Sequence, residues 1–204
     1  DSTCDIGAFE SDAQSGPNLI VNINDDSDDS SCNALVAGVA DCTLREAINA
    51  ANALAGDDTI TFAPAVSGTI VLSPTLGDLD ISSTIAINGG HVITVSGNNA
   101  TRVFNVTAGN LTFDSLSIIS GTVTTNDCGP DSSSRCGGGI MIQNSGVNVT
   151  VTNSTLSGNR ASAAGGGIHN YGGTLIVNNS TLSDNETNTN GGGIGNNGGT
   201  VTVS

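Results

Sequence analysis

From Thr59 onward, apolar and polar side chains alternate one by one in short runs, and each run stops at Gly, Asn, Ser or Pro. Residues 59–62, 68–72, 84–87, 92–95, 103–106 and 111–113 are such runs, and a period of two predicts short strands. They follow one another too closely for βαβ crossovers. Upstream the period differs. Leu44, Ala47, Ile48, Ala51 and Leu54 fall on one face at helical spacing, so residues 43–55 are predicted to form an amphipathic helix. Thr43-Leu44-Arg45-Glu46 fits a capping box, with Thr43 as N-cap and Glu46 reaching back from the third helical position. Gly56 is a natural stop. Residues 1–31 are expected to be polar and loop-like.

A longer period organises the strands. Gly137-Gly138-Gly139-Ile140, Gly165-Gly166-Gly167-Ile168 and Gly191-Gly192-Gly193-Ile194 recur at spacings of 28 and 26 residues. Between them, Val151-Thr152-Asn153-Ser154-Thr155-Leu156-Ser157-Gly158-Asn159 is echoed by Val177-Asn178-Asn179-Ser180-Thr181-Leu182-Ser183-Asp184-Asn185. A repeat of this size signals a solenoid. Each unit holds two or three brief strands, which matches one coil of a right-handed, single-stranded parallel β-helix. In that fold Ile140, Ile168 and Ile194 stack inside, as do Leu156 and Leu182, while Asn159 and Asn185 form stacked amides at a turn. A leucine-rich repeat has a similar period but needs an L-x-x-L-x-L framework, which these Gly- and Thr-rich units lack. Residues 59–204 at roughly 20–28 per coil make about six or seven coils, a rod about 30 Å long at sheet spacing.

Composition agrees with a thin, repetitive core: 36% of residues are apolar, 2% aromatic and none is Trp. The net charge is −15, from nineteen acids against four arginines and no lysine. Binding nucleic acid or an anionic membrane surface needs clustered cations, so neither partner is expected. No stretch approaches the roughly 20 apolar residues that span a bilayer, so direct membrane insertion is not expected either. The sequence opens on Asp1 without Met, and the expectation is that a signal peptide has been removed. Cys32 and Cys42 bracket one short polar loop, and Cys128 and Cys136 bracket another. Neither pair has a second half-site or a neighbouring His, so two local disulfides are expected rather than zinc. Disulfides imply an oxidising compartment, outside the cell or on its surface. Cys4 is left over. Three regions result: an extended segment at 1–31, a disulfide-stapled loop with a capping helix at 32–56, and β-helix coils at 57–204.

Cys42-Thr43-Leu44-Arg45-Glu46-Ala47-Ile48 makes the chain resemble the bacterial "CSLREA" β-helix proteins, with Thr43 in place of the usual Ser. The resemblance runs on through Gly56-Asp57-Asp58-Thr59-Ile60-Thr61-Phe62, Ile87-Asn88-Gly89, Ser96-Gly97-Asn98-Asn99-Ala100 and Arg102-Val103-Phe104 into the repeats, covering most of residues 40–204. The Gly-Gly-Gly-Ile units are also similar, more loosely, to repeats of polymorphic outer-membrane adhesins. The resemblance implies an exported, surface-attached or extracellular β-helix and brings no catalytic residues. Cys4-Asp5-Ile6-Gly7-Ala8-Phe9-Glu10 looks like the segment that normally closes the C-terminal end of such domains, yet here it comes first. At the other end stands Val201-Thr202-Val203-Ser204, in the middle of a repeat unit. The sequence is then one period of a tandem array, or a subunit whose N-terminal strand completes its neighbour by strand addition. A third reading is that the two ends carry no meaning beyond where the segment starts and stops.

Catalysis finds little support in the residues. Glycoside hydrolysis needs two carboxylates facing one bond, and Asp114, Asp127, Asp131, Asp184 and Glu186 form no such pair in the sequence. His91 and His169 read as turn or surface residues, and Arg45 as part of the helix surface, with Arg102, Arg135 and Arg160 scattered. Asp25, Asp26, Asp28 and Asp29 form an acidic run that could hold calcium but lacks the EF-hand pattern, so a solvated turn is the plainer reading. Sequons at Asn105, Asn153 and Asn179 are candidate glycosylation sites. No cofactor is expected. The expected function is a non-enzymatic surface fibre, filament or adhesin module that joins copies of itself. A carbohydrate-binding or polysaccharide-degrading β-helix is the alternative, and any glycan or host receptor is undefined.

Overall fold

The computed structural model describes residues 14, 16–33, 41–124 and 136–204. Three parallel sheets wind around one core. The principal sheet stacks Asn18–Val21, Asp57–Phe62, Thr84–Ser96, Asn110–Ile119, Asn148–Thr152, Thr174–Asn178 and Thr200–Val203 in chain order. A five-stranded sheet stacks Leu79–Ile81, Phe104–Val106, Ile140–Ile142, Ile168–Tyr171 and Ile194–Asn197. A small third sheet stacks Thr122–Val123, Arg160–Ala161 and Glu186–Thr187. Each coil visits the sheets in turn and the next coil lies upon it, as expected of a single-stranded parallel β-helix. The stack makes about five turns, fewer than the six or seven expected from residue count. The standard coil takes 26 residues, and the one carrying Asn110 to Asn148 takes 38.

The register explains why the repeat folds this way. Ile140 pairs with Ile168 and Ile168 with Ile194, while Leu156 pairs with Leu182, so the expected aliphatic ladders form. Phe104 lies beneath Ile140, and its ring centroid is 4.6 Å from that of Phe113. Corners require left-handed backbone at repeating positions. Ser115, Asn153 and Asn179 supply it at one corner, and Ser120, Gly158 and Asp184 at the next, with φ between 45° and 63°. Asn and Asp tolerate this region better than most residues. At the third corner Gly137, Gly165 and Gly191 have positive φ, and the glycines after them bring neighbouring backbones together. A Cβ on Gly166 would sit 2.3 Å from the Glu186 carbonyl oxygen. No other residue fits there.

Turning inward at a corner buries polar groups, and these bond along the axis. Asn159 is fully buried. Its Oδ1 accepts from Gly121 N–H at 2.9 Å, and its Nδ2 donates to Ile118 C=O and to Asn185 Oδ1, both at 3.0 Å. Asn185 Nδ2 donates in turn to Leu156 C=O at 2.9 Å. Asn159 and Asn185 are thus the stacked amides expected from the repeat.

The first coil departs from the expectation for residues 1–31, because Asn18–Val21 is a strand paired in parallel with Asp57–Phe62. Leu19 and Val21 point into the core while Asn18 and Ile20 face out, an alternation hidden among the polar neighbours. Leu79–Ile81 was likewise too short to stand out. Thr84–Ser96 joins two expected strands through an irregularity between Asn88 and Ile93, where His91 takes φ 61°. The helix spans Leu44–Ala53 with both halves of the capping box formed. It packs against Asn18–Val21, Asp57–Phe62 and Leu79–Ile81 through Leu44, Ala47, Ile48 and Ala51.

Replacing Asn159 by Ala strands the Gly121 N–H and the Ile118 C=O inside the stack. The expected loss is about 2–4 kcal/mol, read from urea unfolding of Asn159→Ala against the parent chain.

Candidate functional site

The acidic run and the helix form one clamp. Arg45 is buried, not on the helix surface as the sequence suggested: its Nε lies 2.8 Å from Asp26 Oδ1 and its Nη2 3.0 Å from Oδ2. The remaining donors reach the carbonyls of Gly77 and Asp78 at 2.8 and 2.9 Å. Asp26 Oδ2 also accepts from Ser73 N–H at 2.6 Å. Asp26 is therefore not part of a solvated turn, since an apolar core beneath the helix takes a charge only when it is paired. The other acids turn to local partners. Asp25 accepts from Asp26 N–H, Asp28 from Ser30 N–H and Asn49, and Asp29 from Ser31. The Ser31 bonds hold the Asp29 carboxyl below its ordinary range. Among the described residues no group of three or more His, Cys, Asp or Glu is placed to hold a metal ion. Cys32 and Cys42 form the expected disulfide beside this clamp.

A second arginine extends the relay. Arg102 Nη1 lies 2.7 Å from Asp78 Oδ2, and its Nε donates to Gly137 C=O at 3.0 Å. Asp26, Arg45, the turn at residues 77–78, Arg102 and the glycine corner are thereby linked across successive coils. Above this pair opens a cleft of about 530 Å³, lined chiefly by Asp78, Asp80, Thr101, Arg102, Asn105 and Thr122. Burial pushes the Asp78 carboxyl above its ordinary value, against the pull of Arg102 and with help from Asp80. Asp80 Oδ1 accepts from Asn105 Nδ2 at 2.7 Å. Asp78 and Asp80 do not stand out in the sequence, because they sit in a turn and in a three-residue strand with too little alternation to mark it. Their one visible signal was the isolated pair of acids in Gly77-Asp78-Leu79-Asp80.

The other expected site residues lie apart. Asn105, Asn153 and Asn179 each donate Nδ2 to a neighbouring coil, to Asp80, Asp114 and Asn153 respectively. These amides are parts of axial ladders. His91 is exposed at its turn, with Nε2 3.1 Å from Ser115 Oγ. His169, expected at the surface, is only 3% exposed, and neither ring nitrogen has a hydrogen-bond partner among the described residues. The glycine corner folds back over its strand, so that Gly195 lies against both Gly165 and the His169 ring. Val201 and Val203 lie on the last strand of the principal sheet. Residues 4–10, with Cys4, and residues Cys128, Asp127, Asp131 and Arg135 fall outside the described residues, and so does the expected Cys128–Cys136 pairing; Cys136 itself is buried.

The fold and these sites define a parallel β-solenoid with a clamped first coil. No family model, curated protein or solved structure matches the chain. Among the described residues, no helix is long and apolar enough to cross a membrane.

Two measurements probe the relay. Arg45→Met leaves Asp26 buried without its partner and is expected to cost about 3–5 kcal/mol, much of it recovered in the double variant Asp26→Leu/Arg45→Met; chemical unfolding of the three chains decides. For Asp78, the folded carboxyl titrates above the unfolded one. Its contribution is fully present below the ordinary aspartate value of about 3.9 and declines as pH rises through the folded value. The stability of the parent relative to Asp78→Asn should therefore fall as unfolding is measured at successive pH values from about 4 upward.

Proposed function

We propose that the protein is a non-enzymatic structural module of an extracellular or cell-surface fibre, filament or adhesin, whose units join head to tail along the solenoid axis. The observation that carries this reading is the column of like residues, Ile140 on Ile168 on Ile194 and Asn159 on Asn185, which any further coil of the same kind, in the same polypeptide or another copy, can extend in register. On the outer side of Asn18–Val21, the backbone of Ile20 is engaged by a side chain. Gln14 accepts from Ile20 N–H at 2.6 Å and donates to Ile20 C=O at 2.9 Å, a side-chain amide standing in for a strand. At Thr200–Val203 the N–H groups of Thr200 and Ser204 donate back to Gly173 and Val177. Those of Val201 and Val203 therefore face away from the sheet. Val203 is 66% exposed, although it stacks on Val177, which is buried.

An edge of this kind is a template for another strand. Contact between unlike ends does not close on itself, so it propagates. The incoming strand belongs to the next unit, in the same polypeptide or in another copy, and residues 4–10 are the proposed donor. The Cys32–Cys42 disulfide supports an oxidising location.

Sedimentation velocity and negative-stain micrographs of the purified chain are expected to show concentration-dependent rods. Val201→Lys with Val203→Lys places inward charges on the open coil and should reduce the rods to single units. A parent chain that stays monomeric, or rods unchanged by the two lysines, would overturn the proposal. Deleting residues 1–10 should also abolish rods if that segment donates the strand.

A further inference from the structure

We propose that the furrow along the corner between the three-stranded and five-stranded sheets binds a linear, uncharged oligosaccharide. It arises from a difference between coils. Thr101 belongs to a turn, and its carbonyl accepts from Thr122 N–H at 2.9 Å, where higher coils place the three-stranded sheet. The shortfall leaves the cleft above Asp78 and Arg102. A second hollow of about 420 Å³ shares Thr122, Val123 and Thr124 with the first and runs on past Arg160, Ser162 and Asn188. The two together cross successive coils, an extent of about 10–15 Å at sheet spacing. That suits a chain of a few sugars better than a single ring.

The lining chemistry selects the ligand class. Asp80 presents a carboxylate that accepts several hydrogen bonds, and Asn105 both donates and accepts; vicinal hydroxyls are matched by such planar groups. Asn105 is held from both sides, by Asp80 and by Gln143 Nε2 at 2.6 Å on its Oδ1. Thr101 and Thr122 add hydroxyls along the wall. The floor is rigid, because the Arg102 guanidinium is fixed by Asp78 and by the Gly137 carbonyl. Asp78 balances Arg102, so Asp80 leaves the first cleft net negative among the described residues, while Arg160 stands in the adjoining hollow. In a chain of net charge −15 this repels uronates, sulfates and nucleotides. The site neither requires nor disturbs the open coil, so it stands apart from head-to-tail assembly.

Affinity electrophoresis and titration calorimetry of the whole chain test the assignment, with xyloglucan, galactomannan and dextran as uncharged probes and polygalacturonate as the charged one. At least one uncharged polysaccharide should retard the protein, and polygalacturonate should not. Asp80→Ala and Asn105→Ala should each weaken binding roughly tenfold or more, with thermal unfolding close to that of the parent. Thr69→Ala, exposed on the short strand Gly68–Val71 that pairs with Thr84–Ser96, should leave binding unchanged. No retardation by any uncharged probe, tighter binding of polygalacturonate, or an equal loss in Thr69→Ala would overturn it.

Discussion

Everything in this molecule depends on coils stacking in register, residue upon equivalent residue. Once the backbone hydrogen bonds run along the axis, each inward position meets its own counterpart in the coils below and above. Ile168 must fit between Ile140 and Ile194, and a polar group turned inward must find its partner in the same column. Asn159 does so through Gly121, Ile118 and Asn185. The corners obey the same rule, with left-handed residues recurring at three columns. A small set of Gly, Asn, Ser and Thr therefore repeats because each column allows few choices, and a thin aliphatic core suffices.

The first described coil is built differently from those above it. A helix covers it, a disulfide shortens its loop, and the Asp26–Arg45 pair fastens the turn at residues 77–78. Arg102 carries the connection on to the glycine corner. A buried ion pair gives little net stability but leaves few alternative arrangements for the groups around it. In a fold whose coils are so alike, the Asp26–Arg45 contact is one that no other described coil repeats. The recess beside Asp78 and Asp80 adjoins this construction, where a turn at Thr101 stands in the place that higher coils give to the three-stranded sheet.

Legibility in the sequence followed periodicity. The helix, its cap, the Ile and Leu ladders and the Asn159–Asn185 column were all readable, because each rests on a spacing that recurs or on a local motif. The coil count was overestimated because spacing alone does not reveal the long coil between Asn110 and Asn148. Asn18–Val21 and Leu79–Ile81 escaped because three or four residues carry too little alternation. The burial of Arg45 and His169 was hidden for a different reason. Both are covered by segments distant in the chain or folded back over them, a tertiary effect no local pattern encodes. The cleft was illegible on the same ground, since Asp78, Asp80, Arg102 and Thr122 meet only after the coils have stacked.

Both ion pairs found among the described residues lie low in the rod, whereas the upper coils are joined there by backbone ladders and side-chain amides. In a solenoid each coil touches only its neighbours, so cohesion is graded along the axis. Unfolding is therefore expected to be graded, with the coils around Arg45 and Arg102 holding longest. If units join along the axis as proposed, each added unit shields the coil behind it, and wear would shorten the fibre from its tip rather than break it in the middle.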